Sequence, residues 1–387
     1  MFSSRLPDIF ASNALSRSLD RLRAAGTPLL DLTETNPTAV GLSYPDDVLA
    51  PLSNPQASRY RPAPLGLQPA RAAVAAATPG SSPDRIVLTA STSEAYSILF
   101  KLLCDPGQDV LVPQPSYPLL DLLTRLDAVP ARPYRLDWHG RWSIDRASVE
   151  RALTPSTRAL VIVSPNNPTG SMLRRDDRTW IAGLAAERDL AIIADEVFSD
   201  YPLSPGPDAC SMSGDARALT FTLGGLSKSA GLPQVKLGWM RVDGPFALVR
   251  DALARLEVIA DTYLSVSTPV QVAAPQLIET GRVTGASIAH RIRDNMVELR
   301  RQLAGHPAIT LLEPEGGWSA VLHVPATRSE EDLVLDLAET AHVVVHPGYF
   351  FDFDREAFLV VSLLPEPAVF AEAVGRVLPI AAGDGRS

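Results

Sequence analysis

Asn167, Asp195 and Lys228 are the residues of this chain best equipped for chemistry, and they occur in that order. Asn167 lies in Ser164-Pro-Asn-Asn-Pro-Thr-Gly170, Asp195 in Ile192-Ile-Ala-Asp-Glu-Val-Phe198, and Lys228 in Thr222-Leu-Gly-Gly-Leu-Ser-Lys228. A lysine amine forms a Schiff base with a carbonyl once burial or a neighbouring cation lowers its pKa. A carboxylate can keep a ring nitrogen protonated, and a side-chain amide can hold a ring oxygen. Taken singly, each has an ordinary reading: a surface lysine, a helix-capping aspartate and a turn asparagine. Their order, each just after an apolar run, is what calls for a common explanation.

The elements that must position them follow from pattern. Short β-rich runs at 85–89, 109–112, 159–163, 190–194, 219–223 and 236–242 alternate with helical stretches such as 94–104, 176–188 and 245–260. Such alternation predicts an α/β domain with a largely parallel sheet. In these sheets ligands gather beyond the carboxyl ends of the strands. Ser91-Thr92-Ser93, Asn167, Asp195 and Lys228 all follow strands at that end. The last hundred residues read differently: a helix at 287–304, apolar segments at 308–312, 318–324 and 358–364, and a closing helix at 367–378. The expected division is a large domain at 46–280, with 1–45 and 281–387 forming a smaller α+β domain.

Bulk properties narrow the class. The 387 residues carry a net charge of −9 without a compensating Lys/Arg block, which argues against a nucleic-acid binder. Cys104 and Cys210 suggest neither a disulfide framework nor a metal site, so a reducing cytoplasm and no metal are expected. No apolar run is long enough to span a membrane, and no signal core opens the chain.

A lysine for a Schiff base, with an aspartate for a ring nitrogen, is the equipment for pyridoxal 5'-phosphate. On these motifs the chain resembles the fold-type I, class I/II aminotransferases over nearly its whole length, nearest the bacterial alanine/aspartate/aromatic group. The resemblance implies an aspartate-aminotransferase-like fold and a homodimer with sites at the subunit interface. It makes Lys228 the Schiff-base lysine and proton shuttle, Asp195 the pyridine-nitrogen partner, and Asn167, before a commonly cis proline, the partner of the phenolic oxygen. Ser91, Thr92 and Ser93 would form a phosphate cup at a helix N-terminus, where free N–H groups favour an anion. Ser227 would add a hydroxyl, Tyr60 would come from the other subunit, and Tyr117 would stack on the ring. Thr35, Asn36, Trp318 and Tyr349 match places that close over substrate.

Three departures stand out. Ser91 aside, which replaces a usual glycine, Lys236 stands where the family has a phosphate-binding arginine, giving a point charge without a fork. Phe198 replaces a tyrosine that donates to the phenolic oxygen, so the Schiff-base nitrogen should hold its proton more tightly. Val360, in Phe358-Leu-Val-Val-Ser-Leu-Leu-Pro365, replaces the arginine that grips the substrate carboxylate as a bidentate pair. Arg355, Arg17 and Arg21 are the candidate substitutes. The leading expectation is therefore amino transfer from an amino acid or amine to a keto or aldehyde acceptor. The alternative is a lyase or cyclase acting on an unusual amino acid. A cofactor-sensing regulator is disfavoured, because no basic footprint accompanies the fold.

Overall fold

A computed structural model describes residues 2–6 and 13–383. Its strands in chain order are β1 (Leu30–Asp31), β2 (Ile86–Thr89), β3 (Asp109–Gln114), β4 (Ala131–Trp138), β5 (Trp142–Ile144), β6 (Thr157–Val163) and β7 (Ala191–Asp195). There follow β8 (Thr220–Gly225), β9 (Gly238–Asp243), β10 (Thr310–Leu312), β11 (Ser319–His323), β12 (Val343–Val344), β13 (His346–Pro347) and β14 (Phe358–Ser362). Eight of them build one sheet in the order β2-β9-β8-β7-β6-β3-β4-β5. The run from β8 to β4 is parallel, and antiparallel partners close both edges.

The central strands are continuous apolar runs because both faces are covered. Ala191 and Ile193 point to a core shared with the helices Thr92–Leu103 and Phe246–Tyr263. Ile192 and Ala194 point to the opposite core, closed by the helix Arg175–Arg188. A second sheet, β10-β11-β14-β13, is wholly antiparallel. Its core takes in Leu15 and Leu19 of the helix Ala14–Ala24, Ile288 to Leu299, and Phe370 of the helix Pro367–Ala382. The chain thus has an α/β body with a large, mostly parallel sheet and a smaller antiparallel-sheet unit, as the pattern predicted.

One expectation needs correction. The helix placed at 287–304 is the second half of a 36-residue helix, Thr268–Leu303, which runs through position 280. Pro275, Gly281 and Gly285 make its first half read as broken. The glycines are there for contact. A Cβ on Gly281 would lie 2.3 Å from the Ala230 Cβ, and one on Gly285 would lie 2.6 Å from the Ser229 carbonyl oxygen. The helix therefore presses its backbone against the turn that bears Lys228.

Candidate active site

The carboxyl ends of β6, β7 and β8 deliver Asn167, Asp195 and Lys228 into one cavity of about 190 Å³. Thr92 and Ser93 enter it from the first turn of the helix Thr92–Leu103, and Tyr117 from the segment after β3. Thr35, Phe198 and Trp318 also line it.

Lys228 sits on the one-turn helix Leu226–Ser229. Its carbonyl accepts the Tyr201 hydroxyl at 2.5 Å, which anchors the turn. The Nζ atom lies 4.8 Å from the Trp318 ring centroid and 5.3 Å from that of Phe198. Burial pulls the amine down from 10.5 to about 8, while the charge of Asp195 works upward. The condition for a nucleophilic lysine is thus met by desolvation.

Asp195 ends β7 and is held from two sides. Its Oδ2 accepts the Tyr96 hydroxyl at 3.0 Å, and its Oδ1 accepts the Val197 N–H at 3.2 Å. Burial raises its pKa, and the two donors and Lys228 oppose that rise. Neighbouring Glu196 is occupied elsewhere, accepting from the Ser211 hydroxyl at 2.6 Å and the Met212 N–H at 2.7 Å. Asn167 precedes a cis proline, and its Oδ1 accepts the Ser319 hydroxyl at 3.4 Å.

The remaining expected residues lie outside the cavity lining. The Ser91 hydroxyl caps the helix by accepting the Glu94 N–H at 3.1 Å. Lys236 is exposed in a left-handed conformation two residues before Gly238. A Cβ on Gly238 would lie 2.9 Å from the Ser91 carbonyl carbon and 3.1 Å from the Thr92 nitrogen, so this strand abuts the helix N-terminus. Ser227 is half-buried in the Lys228 turn. Tyr60 is 73% exposed and rims a separate hollow with Tyr263. Asn36 caps a short turn by accepting the Thr38 N–H at 3.0 Å, and Tyr349 packs edge-on against Phe350.

Val360 is 2% exposed within an apolar cluster. None of the three candidate substitutes lines the cavity. Arg355 stacks over Phe358, Arg21 pairs with Glu339 at 3.0 Å, and Arg17 lies on the exposed side of its helix.

Sequence reasoning missed Tyr96, Ser116 and Ser319, all in the lining, and the leucine wall of the helix Leu119–Leu126. Tyr96 had a usable signal: it lies four residues after Thr92, on the same helical face.

The class I and II aminotransferase family matches residues 59–377. A glutamate-pyruvate aminotransferase of Haemophilus influenzae is 26% identical, over 92% of this chain and 91% of its own length. An alanine aminotransferase of Mycobacterium tuberculosis is 28% identical, over 92% of this chain and 86% of its own. In fold, an alanine aminotransferase from Pyrococcus furiosus superposes with a TM-score of 0.86 at 22% identity, covering 97% of this chain and 98% of that one. An aminotransferase from Escherichia coli does so at 0.85 and 24%, covering 99% and 98%. With four-fifths of its length inside the family's pattern, the chain belongs to the class I and II aminotransferases and is an enzyme of the transferase type.

Proposed function

We propose that this enzyme uses pyridoxal 5'-phosphate to move an amino group from an amino acid or amine to a keto or aldehyde acceptor. The observation that carries the reading is the convergence of a partly neutralised Lys228 amine, a doubly held Asp195 carboxylate and the Asn167 amide in one cavity.

The residues present fit that cofactor. The Ser116 hydroxyl and the Trp318 indole N–H are buried at the cavity without partners among the described residues, as expected of groups awaiting a ligand. The absence of a Cβ at Gly238 lets β9 close on the Ser91–Thr92 backbone. Bound there, the cofactor supplies an aldehyde that condenses with amines and a ring that accepts electrons.

The protein's own share is positioning and proton transfer. Asp195, oriented by Tyr96 and Val197, holds the proton on the ring nitrogen. Thr92 and Ser93 receive the phosphate at a helix N-terminus, with Ser91, Ser227 and Lys236 as the further residues for it. Tyr117 covers the ring face, and Asn167 holds the ring oxygen. Lys228, with its affinity for protons set near neutrality, would take the proton from the amino-bearing carbon of the substrate and hand it back two atoms away, across the amino nitrogen. Thr35, Asn36, Trp318 and Tyr349 serve the substrate, as the part at 1–45 and 281–387 closes on the part at 46–280. A homodimer is supported by the exposed Tyr60 and Tyr263 at the rim of one hollow, where a second copy would receive Tyr60. The free thiols of Cys104 and Cys210 suit a cytoplasmic setting, and among the described residues no helix is long and apolar enough to cross a membrane.

The Val360 cluster favours a second reading, a lyase or cyclase for an unusual amino acid, because the usual grip on the substrate is changed. One experiment separates the two. The loaded enzyme is mixed with single amines, its absorbance near the visible edge is followed, and the products are identified by mass spectrometry. Pyridoxamine phosphate with a keto product supports transfer; an alkene or cyclic product without it supports the alternative. A protein without cofactor absorbance, or one unchanged by Lys228→Ala, would refute both.

A further inference from the structure

The face of the smaller sheet that meets the cavity is set by strand register. Ser319 lines the cavity and pairs with Ser362; two residues on, Val321 pairs with Val360, which pairs in turn with His346 on β13. Directly paired residues of antiparallel strands share a face. The surface running from Ser319 therefore continues through two buried isopropyl groups to an imidazole. Burial lowers the pKa of His346 against the opposing pull of Asp31, and its ring lies 5.7 Å from both Phe350 and Phe351. The cation on this face, Arg355, stacks over Phe358 beyond Val360, on the side away from Ser319 and the cavity.

The rest of the cavity repeats the pattern. Among the described residues that line it, Lys228 is the one cation, and Asp195 already supplies a negative charge. Leu119, Leu120 and Leu123 form an apolar wall. The same cavity holds an unspent donor: the indole N–H of Trp318, a residue 2% exposed, lacks a partner among the described residues. Indole can only donate, so it asks for an acceptor. With Lys228 taken up by the cofactor and Asp195 paired to its ring nitrogen, a carboxylate entering here would find no free counter-ion among the described lining residues, whereas a neutral acceptor would satisfy the donor at little desolvation cost.

We infer that the substrate of this site is an amine with an apolar body whose amino carbon bears an uncharged hydrogen-bonding group, such as a carboxamide or hydroxymethyl, in place of a carboxylate, and that Trp318 reads that group. The inference rests on the proposed cofactor-dependent amino transfer.

The test uses matched pairs on the full-length protein loaded with pyridoxal phosphate. The unreactive pair is 3-phenylpropanamide and 3-phenylpropionate, whose dissociation constants are read from perturbation of the cofactor absorbance. The reactive pair is phenylalaninamide and phenylalanine, read by bleaching. The expected result is amide binding at least about tenfold tighter than carboxylate, since the charge is unpaired in the cavity. Phenylalaninamide bleaches faster by a similar factor. In Trp318→Phe the amide's advantage shrinks severalfold while the resting spectrum is kept. Carboxylate binding equal to or tighter than amide overturns the inference and leaves amino transfer standing. Silence toward all four compounds from a yellow protein also overturns it. A protein that takes up no cofactor through Lys228 overturns the reading of the site, and the inference falls with it. The wild-type pairs alone decide the question if the variant fails to fold.

Discussion

The Tyr96 hydroxyl donates to the Asp195 carboxylate across 3.0 Å, from a helix whose first turn carries Thr92 and Ser93. One rigid helix thus reaches both ends of the cavity. A hydrogen bond to a charged group contributes about 1.5–3 kcal/mol. Tyr96→Phe should therefore weaken retention of pyridoxal phosphate by roughly tenfold or more, with the far-ultraviolet circular dichroism unchanged. Equilibrium dialysis measures the loss; undiminished binding would show that Tyr96 is only core packing.

The depressed Lys228 amine has a consequence for stability without cofactor. Its folded value, about 8, lies below its ordinary value of 10.5. Between those pH values the unfolded chain binds the additional proton, so the unfolding free energy rises with pH across that window. Below it, the folded protein bears the full penalty of a buried charge. Lys228→Met removes the penalty, so the cofactor-free variant should exceed the parent in stability by about 3 kcal/mol at pH 7. The gap should close by pH 10.5. Urea titrations at three pH values test this, and a pH-independent gap would contradict it.

Much of this site was legible because buried parallel strands leave continuous apolar runs with a polar residue at the end. Asn167, Asp195 and Lys228 stand out for that reason, and all three line the cavity. Tyr96 did not stand out: on sequence it resembles any aromatic on a buried helix face, and only its contact with Asp195 distinguishes it. Ser319 and Ser116 were hidden because strand register and loop path, not local pattern, aim them. The start of the helix Thr268–Leu303 was hidden by glycines that serve contact rather than termination.

Those glycines yield the next expectation. A Cβ on Gly281 would sit 2.3 Å from that of Ala230, two residues beyond Lys228. Overpacking of this kind costs typically about 1–3 kcal/mol. Gly281→Ala should lower the urea midpoint and, by shifting the Lys228 turn, slow the first half-reaction more than it weakens cofactor binding. A substitution without effect on either would mean that the helix moves away freely.

Phe198 brings a ring to 5.3 Å from the Lys228 amine but no hydroxyl. On the proposed reading of the site, Phe198→Tyr would add a donor for the ring oxygen of the cofactor. The proton affinity of the Lys228-bound chromophore should then fall by about tenfold, one pKa unit. A spectral pH titration of parent and variant reads this directly. An unchanged or higher midpoint would place the new hydroxyl away from the cofactor.

Behind Asn167 and Trp318 lies a buried ion cluster that ties their segments together. Arg174 pairs with both Glu315 and Asp208, and Glu315 also accepts the Met172 N–H at 3.0 Å. The backbone N–H groups of Glu315 and Gly316 donate to the Gly170 carbonyl, joining the Asn167 turn to the segment leading to Trp318. Glu315→Ala strands a buried guanidinium with one acid at its edge, a change that costs about 3 kcal/mol when a buried pair is broken. The expected result is a lower urea midpoint together with weaker amine binding, since both walls of the cavity hang from this junction. Removing both charges, in Arg174→Met with Glu315→Leu, should recover most of the stability, because apolar replacements avoid the unpaired charge. Amine binding should recover with it if the cluster acts by holding the two segments. Stability restored without binding would instead assign Glu315 an electrostatic role at the site itself.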